Sequence, residues 1–336
     1  MTETHRNLAF FGSDAIAIPC LHALMENDQD WKVAAVLTQP DRPSGRGRNL
    51  QPNPVKSWAI EHGIPVRDPE KPTHHEVQWL KELKIDLTMV MAYGHILKEE
   101  FLNYAPLGCF NLHASLLPKY RGASPVETAI AMGEVQTGVT LMQVIPQMDA
   151  GPMIDCEPVV IGEGDTGQQV RQKIAQACIP LLGRSMPNLL SGKYPLLEQD
   201  ENQATYCRKL SKADGQLNFR LSADELVSRS RAFASWPGCY FVHQDKVLRV
   251  GKMNKFPHDL SLEPGQRSST KENSLIIGTG NGSVEILELQ KPGGKMLPIA
   301  DFLRGYAIHK EITFPSPSDQ ISLIRTEKES SFKKIS

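Results

Sequence analysis

The densest group of polar side chains that could do chemistry follows a short apolar run, in Asn111-Leu112-His113-Ala114-Ser115. If Cys109–His113 is a strand, Asn111 and His113 point to one side of it, because side chains two residues apart share a face. An asparagine amide donates hydrogen bonds, and a histidine donates or acts as an acid near neutral pH. Together they suit a carbonyl oxygen that gains negative charge. A capped strand end with a satisfied histidine is the alternative for an isolated Asn-x-His.

A carboxylate that could assist the histidine is Asp149, in Met148-Asp149-Ala150-Gly151 after the next predicted strand. A carboxylate beside an imidazole orients the ring and sets its tautomer. An aspartate before small residues is also a common turn former. The sequence leaves open whether Asp149 lies near His113 in space.

A basic segment, Gln39–Pro52, separates a predicted strand from a predicted helix and carries Arg42, Arg46 and Arg48. It is longer than the usual connection of about two to six residues. Arginine forks match phosphate oxygens, and glycines on both sides of Arg46 let its backbone flex. The segment is therefore a candidate phosphate contact, with a solvated surface loop as the alternative.

The elements that must position these groups alternate between strand and helix, which predicts an α/β fold with a Rossmann-like, mainly parallel sheet. The predicted strands are Leu8–Phe11, Val33–Leu37, Asp86–Met91, Cys109–His113 and Thr137–Ile145. The predicted helices are Asp14–Met25, Val55–His62, His75–Leu83 and Gly167–Leu190. Ligands of such sheets bind beyond the carboxyl ends of the strands, which is where the polar groups above lie.

The chain of 336 residues is long enough for about two domains. After a helical piece at Ala223–Phe233, short β-type runs separated by Gly, Pro and Asn predict a small C-terminal OB-like β-barrel. We therefore predict four parts: a catalytic domain at residues 1–190, a linker at 191–205, the barrel at 206–314 and a frayed polar tail at 315–336.

Composition and charge exclude several classes of protein. The 37 basic and 38 acidic residues nearly cancel, so the chain is not a polybasic binder. The charge is uneven, because residues 205–336 carry 20 Lys and Arg against 14 Asp and Glu; this part could meet a polyanion, with chance variation among solvated surface residues as the alternative. Six scattered cysteines without C-x-x-C favour a reducing compartment. Since no apolar stretch approaches about 18 residues, we expect a cytoplasmic protein without membrane contact.

The turn after the first predicted strand reads Phe11-Gly12-Ser13-Asp14 and lacks the G-x-G-x-x-G of dinucleotide-binding folds. The missing glycines, and an acid where a pyrophosphate would approach, disfavour a nicotinamide-dependent oxidoreductase.

Taken together and in this order, three motifs resemble the formyltransferases that use 10-formyltetrahydrofolate: Asn111-x-His113-x-Ser115-Leu116-Leu117-Pro118, Arg121-Gly122-Ala123 and Met148-Asp149-Ala150-Gly151. The resemblance implies that Asn111, His113 and Asp149 are the catalytic residues. It implies that Ser115, Leu116, Leu117 and Pro118 line the folate pocket and that no metal is needed. Asp14 departs from the family pattern, in which Pro or Glu is more usual at that place.

Within that family the chain is most similar to the members that act on methionyl-tRNA, because Thr38–Pro43, Gly45-Arg46-Gly47 and Pro54-Val55-Lys56 resemble the loop that those members insert. The resemblance implies that Arg42, Arg46 and Arg48 contact initiator methionyl-tRNA, that the basic C-terminal barrel also meets it, and that the protein is a monomer. Formylation of a small amine, such as a glycinamide ribonucleotide or an amino-sugar nucleotide, remains the main alternative. A folate- or RNA-binding module without catalysis is a further one.

Overall fold

The structure is a computed structural model that describes residues 5–26, 30–44, 49–258, 260–268, 273–309, 311–318 and 322–325. The strands are β1 (Arg6–Gly12), β2 (Trp31–Leu37), β3 (Arg42–Ser44), β4 (Asn49–Gln51), β5 (Val66–Arg67), β6 (Leu87–Met91), β7 (Cys109–His113), β8 (Arg121–Gly122), β9 (Gln136–Gln143), β10 (Met153–Val160), β11 (Tyr206–Cys207), β12 (Cys239–His243), β13 (Lys246–Lys255), β14 (Leu275–Gly278), β15 (Ser283–Gln290), β16 (Leu297–Pro298) and β17 (Ile324–Arg325). The helices are α1 (Ile18–Glu26), α2 (Pro54–Glu61), α3 (His74–Glu82), α4 (Glu99–Leu102), α5 (Pro125–Ala131), α6 (Gly167–Ser191), α7 (Ala223–Ala232) and α8 (Ile299–Gly305).

The first half of the chain is built on a seven-stranded sheet in the order β10-β9-β7-β6-β1-β2-β5. The pairs β7-β6, β6-β1, β1-β2 and β2-β5 are parallel, whereas β9 runs antiparallel to β7 and β10 antiparallel to β9. The predicted α/β class and mainly parallel sheet are therefore confirmed. Because β1, β6 and β7 are neighbours, the loops that follow them meet at one edge of the sheet.

The two faces of the sheet pack on separate apolar clusters, and β7 contributes to both. Cys109 belongs to the cluster that contains residues of α3 and α4. Phe110 and Leu112 belong to the larger cluster, which contains residues of α1, α2, α5 and α6. The alternation places Asn111 and His113 on the side of Cys109, as the strand period predicts.

The sequence patterns did not predict β10 or the hairpin formed by β3 and β4. As the edge strand of the sheet, β10 is mostly solvent-accessible and includes Pro158, which an edge strand tolerates. Asp155, Glu157 and Pro158 interrupt its apolar residues, so β10 shows neither a continuous apolar run nor a regular alternation. The hairpin replaces the predicted irregular loop: Arg42 pairs with Gln51, and Ser44 with Asn49.

The second half contains an antiparallel sheet in the order β12-β13-β15-β14, to which β16 adds beside β15. This confirms a β-rich C-terminal region, while its closure into an OB-like barrel stays a prediction. Helix α7 packs on α5, and the larger apolar cluster runs from the first sheet into this region without a break. Arg231 also donates to the Gly162 carbonyl, so α7 joins the two halves.

The start of the predicted barrel and a part of the predicted tail form a small sheet with the first half of the chain. Strand β11 pairs in parallel with β8 of the first half and antiparallel with β17. Leu323 is buried beside that pairing. A frayed tail from residue 315 is therefore wrong for residues 322–325, because they complete a three-stranded sheet; the domain boundaries stay a prediction.

In the described part of the chain, no helix combines the length and apolar character needed to cross a membrane. Six cysteines lie within the described ranges, and all six are free thiols.

Candidate active site

The candidate site lies where β7 ends between its two neighbours. Asn111 pairs with Val90 of β6 and Met142 of β9, and His113 pairs with Thr140 of β9. Asn111 is half-buried, and no hydrogen-bond partner of its amide lies within the described residues. The amide is therefore available to a ligand at this edge of the sheet.

His113 is only 6% exposed, and its Nε2 lies 2.9 Å from the Tyr120 carbonyl oxygen. Because a carbonyl only accepts, Nε2 must carry a proton and donate. The other ring nitrogen, Nδ1, lies 3.7 Å from Oδ2 of Asp149. This is the distance of an ion pair rather than of a hydrogen bond. The structure thus brings together two residues that the sequence left 36 positions apart.

The Asp149 carboxylate is also held by a backbone amide. Its Oδ2 accepts a hydrogen bond of 2.8 Å from the amide of Gly122. Asp149 itself has φ of 49°, a left-handed conformation that aspartate tolerates better than most residues. Gly122 has φ of 114°, and a Cβ there would lie 2.2 Å from the Cys207 carbonyl oxygen, so only glycine fits.

The segment Ser115-Leu116-Leu117-Pro118 forms a turn that is tied to β9. Thr140 Oγ1 donates to the Ser115 carbonyl and accepts from the Leu117 amide. Ser115 is fully buried, and its hydroxyl donates to the Lys119 carbonyl. Ser115 therefore shapes the turn from within, while Leu116 and Pro118 are partly accessible. The folate contact of all four residues stays a prediction.

Of the three arginines predicted to contact tRNA, one lies within the described residues. Arg42 is exposed on β3 and forms a two-pronged ion pair with Glu70, at 2.8 and 3.1 Å. Arg46 and Arg48 lie outside the described residues. The base of the hairpin is anchored by Lys56, whose hydrogen bonds with Asp41 and Asp68 raise its pKa.

In the turn after β1, the side chains of Ser13 and Asp14 bind other groups of the protein. Asp14 caps the 3₁₀ turn Ala15–Ala17 through the Ile16 amide, and its Oδ1 lies 2.7 Å from Arg171 on α6. The hydroxyl of Ser13 donates to the Ala92 carbonyl after β6. The departure from the family pattern at Asp14 therefore serves a structural ion pair.

Sequence reasoning missed the groups that hold the site. Two of these groups are backbone atoms, the Tyr120 carbonyl and the Gly122 amide, and the third is the Thr140 hydroxyl. Backbone atoms are the same in every residue, and one threonine in a strand is common, so the sequence does not distinguish them. Arg121-Gly122 was noted as part of a motif, and this was the one signal that could have pointed there.

The comparisons with known proteins agree across both halves of the chain. A model of the formyl transferase family matches residues 6–182, and a model of the formyl transferase C-terminal domain matches residues 209–307. A methionyl-tRNA formyltransferase of Methylobacillus flagellatus is 39% identical over 89% of this chain and 96% of its own length. One of Bacillus subtilis is 36% identical over 89% and 94%.

A solved structure of similar fold is the N-formyltransferase of Helicobacter canadensis, in complex with folinic acid and dTDP-3-aminofucose. It has a TM-score of 0.63 at 20% identity and covers 85% of this chain and 99% of its own. At that identity the likeness shows the fold alone. The family models and the two bacterial relatives, however, extend over nearly the whole length, so the chain belongs to the methionyl-tRNA formyltransferase family.

Proposed function

We propose that this chain transfers the formyl group of 10-formyltetrahydrofolate to the α-amino group of methionine on initiator methionyl-tRNA. The observation that carries the proposal is the match to methionyl-tRNA formyltransferases over at least 94% of the length of two relatives. The geometry of His113 and Asp149 at the carboxyl edge of the sheet supports the same chemistry.

Asn111 and His113 stabilise the formyl oxygen as it gains negative charge. The Asn111 amide donates from β7, and His113 donates through Nδ1, because Nε2 is engaged by Tyr120. Each such donor is typically worth about 10²- to 10³-fold in rate. The rigid strand keeps both donors on one face, so little reorganisation is needed when the charge develops.

Asp149, whose Oδ2 lies 3.7 Å from Nδ1 of His113, takes up the proton that the amine loses on attack, directly or through water. The amine must be neutral to attack; a free α-amino group has a pKa of about 7.7–8.0, and the ester lowers it further. The new bond joins the amine nitrogen to the formyl carbon. The bond from that carbon to N10 breaks, and N10 leaves as tetrahydrofolate with the proton that Asp149 took from the amine, so the carboxylate is restored.

The residues beside the site suit a folate. In the described part of the chain, Tyr93 Oη and His95 Nε2 are buried without a hydrogen-bond partner, and both residues follow β6. Orphaned polar atoms near the carboxyl ends of strands are typical of a site that binds a ligand rich in hydrogen-bonding groups. Leu116 and Pro118 supply apolar surface on the other side of β7, where a flat ring system can pack.

We propose that the RNA is held by two basic regions. Arg42 on β3, with Arg46 and Arg48 in the same segment, would meet the acceptor end, and the basic second half would meet phosphates further along. Such contacts make affinity fall as salt rises. The monomeric state and the cytoplasmic location belong to the same proposal, since initiator tRNA is charged and used in the cytoplasm of bacteria.

The test compares three acceptors. The protein is incubated with 10-formyltetrahydrofolate and, separately, charged initiator tRNA, free methionine and an amino-sugar nucleotide, and the formylated product is identified. We expect formylation of the tRNA-bound methionine alone. Formylation of the sugar nucleotide in preference would establish the small-amine alternative, and folate or RNA binding without any product would establish a binding module.

A further inference from the structure

The residue after Tyr120 is a fully buried arginine. Arg121 has no exposed surface, yet every nitrogen of its guanidinium has a partner. Its Nε donates to Oε1 of Gln199 at 3.0 Å, and its two terminal nitrogens bind the Glu201 carboxylate at 2.9 and 3.2 Å. Tyr206 accepts a further bond of 2.9 Å. Gln199 and Glu201 of the predicted linker, and Tyr206 directly after it, therefore converge on one charge beside the active site.

Gln199 connects this arginine to the loop that carries Asp149. Its side chain is 8% exposed, and its amide nitrogen donates to two carbonyl oxygens, those of Asp149 at 2.9 Å and Gly151 at 2.7 Å. The amide is thus fully used: the oxygen accepts from Arg121 and both hydrogens are donated. A side chain with this pattern fixes its own orientation and that of the backbone it binds.

The loop at residues 149–151 depends on such support. Asp149 is left-handed, and its carboxylate is set by one backbone amide, that of Gly122. Gly122 itself is held by β11, which begins seven residues after Gln199. The backbone of Asp149 and the amide that binds its side chain are therefore both positioned by the segment 199–207.

We propose that Gln199 is a positioning residue for formyl transfer, whose amide sets the place of the Asp149 carboxylate opposite His113. The inference rests on the proposed function, since it assigns Gln199 a part in that reaction. Gln199 does not touch the reacting atoms. It acts through the backbone of Asp149, and a displacement of about 1 Å in a catalytic group can cost about 10²-fold in rate.

The decisive variant is Gln199→Glu, because it keeps the oxygen that accepts from Arg121 and replaces the nitrogen that donates to the loop. The carboxylate still accepts from Arg121, so the buried arginine and the segment around it keep their partner. It cannot donate, and it places an oxygen against the carbonyls of Asp149 and Gly151. Gln199→Met, which keeps the volume without a charge, is made in parallel so that a folding failure of the first variant does not end the test. Gln203→Met is the matched control, because the Gln203 amide is exposed and donates to Asp200 only.

We measure kcat, KM for each substrate and the midpoint of thermal unfolding. Both Gln199 variants are expected to lower kcat about 10- to 100-fold, with KM values within about threefold of the wild type. The control should match the wild type. Normal kcat in a folded Gln199→Glu protein would overturn the inference, and so would a loss of kcat that follows the fraction of unfolded protein.

A double-mutant comparison tests the route of action. If Gln199 acts through Asp149, then Gln199→Glu should cost little further kcat in an Asp149→Asn background. Additive losses would show that Gln199 acts elsewhere and would refute the proposal. The activity of the wild type distinguishes a failure of the proposed function from a failure of this inference. If the wild type does not formylate methionyl-tRNA, the proposed function is wrong. If the wild type and the Gln199→Glu variant are equally active, only the role of Gln199 is wrong.

Discussion

The site around His113 and the hairpin that carries Arg42 are held in opposite ways. The His113 and Asp149 side chains are 6% and 17% exposed, and backbone atoms bind each of them. The Arg42 and Glu70 side chains are 61% and 69% exposed, and they bind each other. The first region is fixed from several directions, while the second is anchored at its base by Lys56.

The difference follows from what each region is proposed to do. A group that stabilises developing charge must stay in place during the reaction, so burial and repeated hydrogen bonds serve it. An arginine that meets a phosphate gains most of its effect from charge, tolerates movement, and can exchange an exposed ion pair at small cost. Rate should therefore respond to changes in the first region, and affinity for the RNA to changes in the second.

The largest effect is expected from Asn111→Ala, which removes a proposed donor to the formyl oxygen. We expect kcat to fall about 10²- to 10³-fold, with little change in the Kd of the folate. Formylation of methionyl-tRNA under saturating substrate, with folate binding measured by calorimetry, checks both quantities. Asn103→Ala, at an exposed asparagine after α4, is the control. A variant at position 111 with near-normal turnover would contradict the assignment.

A smaller loss is expected from Gly122→Ala, compared with Gly63→Ala. Both glycines have positive φ, so each alanine costs about 1–2 kcal/mol of backbone strain. A Cβ at Gly63 meets nothing within 4 Å, whereas one at Gly122 collides with the Cys207 carbonyl. We expect the second variant to be less stable in urea and to lose kcat as well, because the amide that binds Asp149 shifts. Equal kcat in the two variants would show that this amide is not needed.

On the hairpin, Arg42→Ala should raise KM for the tRNA and leave kcat near normal. The dependence of binding on salt should weaken by about one unit of slope, as expected for one lost phosphate contact. Glu70→Gln releases Arg42 from its ion pair and should lower KM by at most about fivefold, since exposed pairs are worth about 0–1 kcal/mol. Filter binding across a salt series measures the salt dependence, and steady-state formylation measures KM and kcat. A fall in kcat without a change in KM would show that Arg42 acts in the reaction rather than in RNA binding.

The smallest effect concerns Asp214, far along the chain from either region. Burial raises its pKa, but hydrogen bonds from Arg208 and Ser211 outweigh this, so the pKa lies below its ordinary value. A depressed folded-state pKa contributes stability that is present above the unfolded value of about 3.9 and is lost as the pH falls through the folded one. Asp214→Asn should therefore lower the free energy of unfolding at pH 7 and reduce its change below about pH 4. Parallel acid dependence in both proteins would argue against this pair.

Much of the first half could be predicted because its signals are local. Apolar runs predicted β1, β2, β6 and β7, and an amphipathic pattern predicted α6. Two of the strands that were missed, β8 and β11, have two residues each, and their pairing across about 85 residues decides their conformation, whereas β10 lies at the edge of the sheet. The tRNA contacts of Arg46 and Arg48, which lie outside the described residues, remain a prediction.

By itself the sequence determined that Asn111 and His113 share one face of a strand, because alternation depends only on neighbouring residues. Only the tertiary structure decided that Asp149 lies 3.7 Å from His113 and that Gln199 binds its backbone across 50 residues. These contacts join loops whose ends are brought together by the packing of the whole sheet. No periodicity in the sequence encodes such distances, since they depend on how every intervening element is packed.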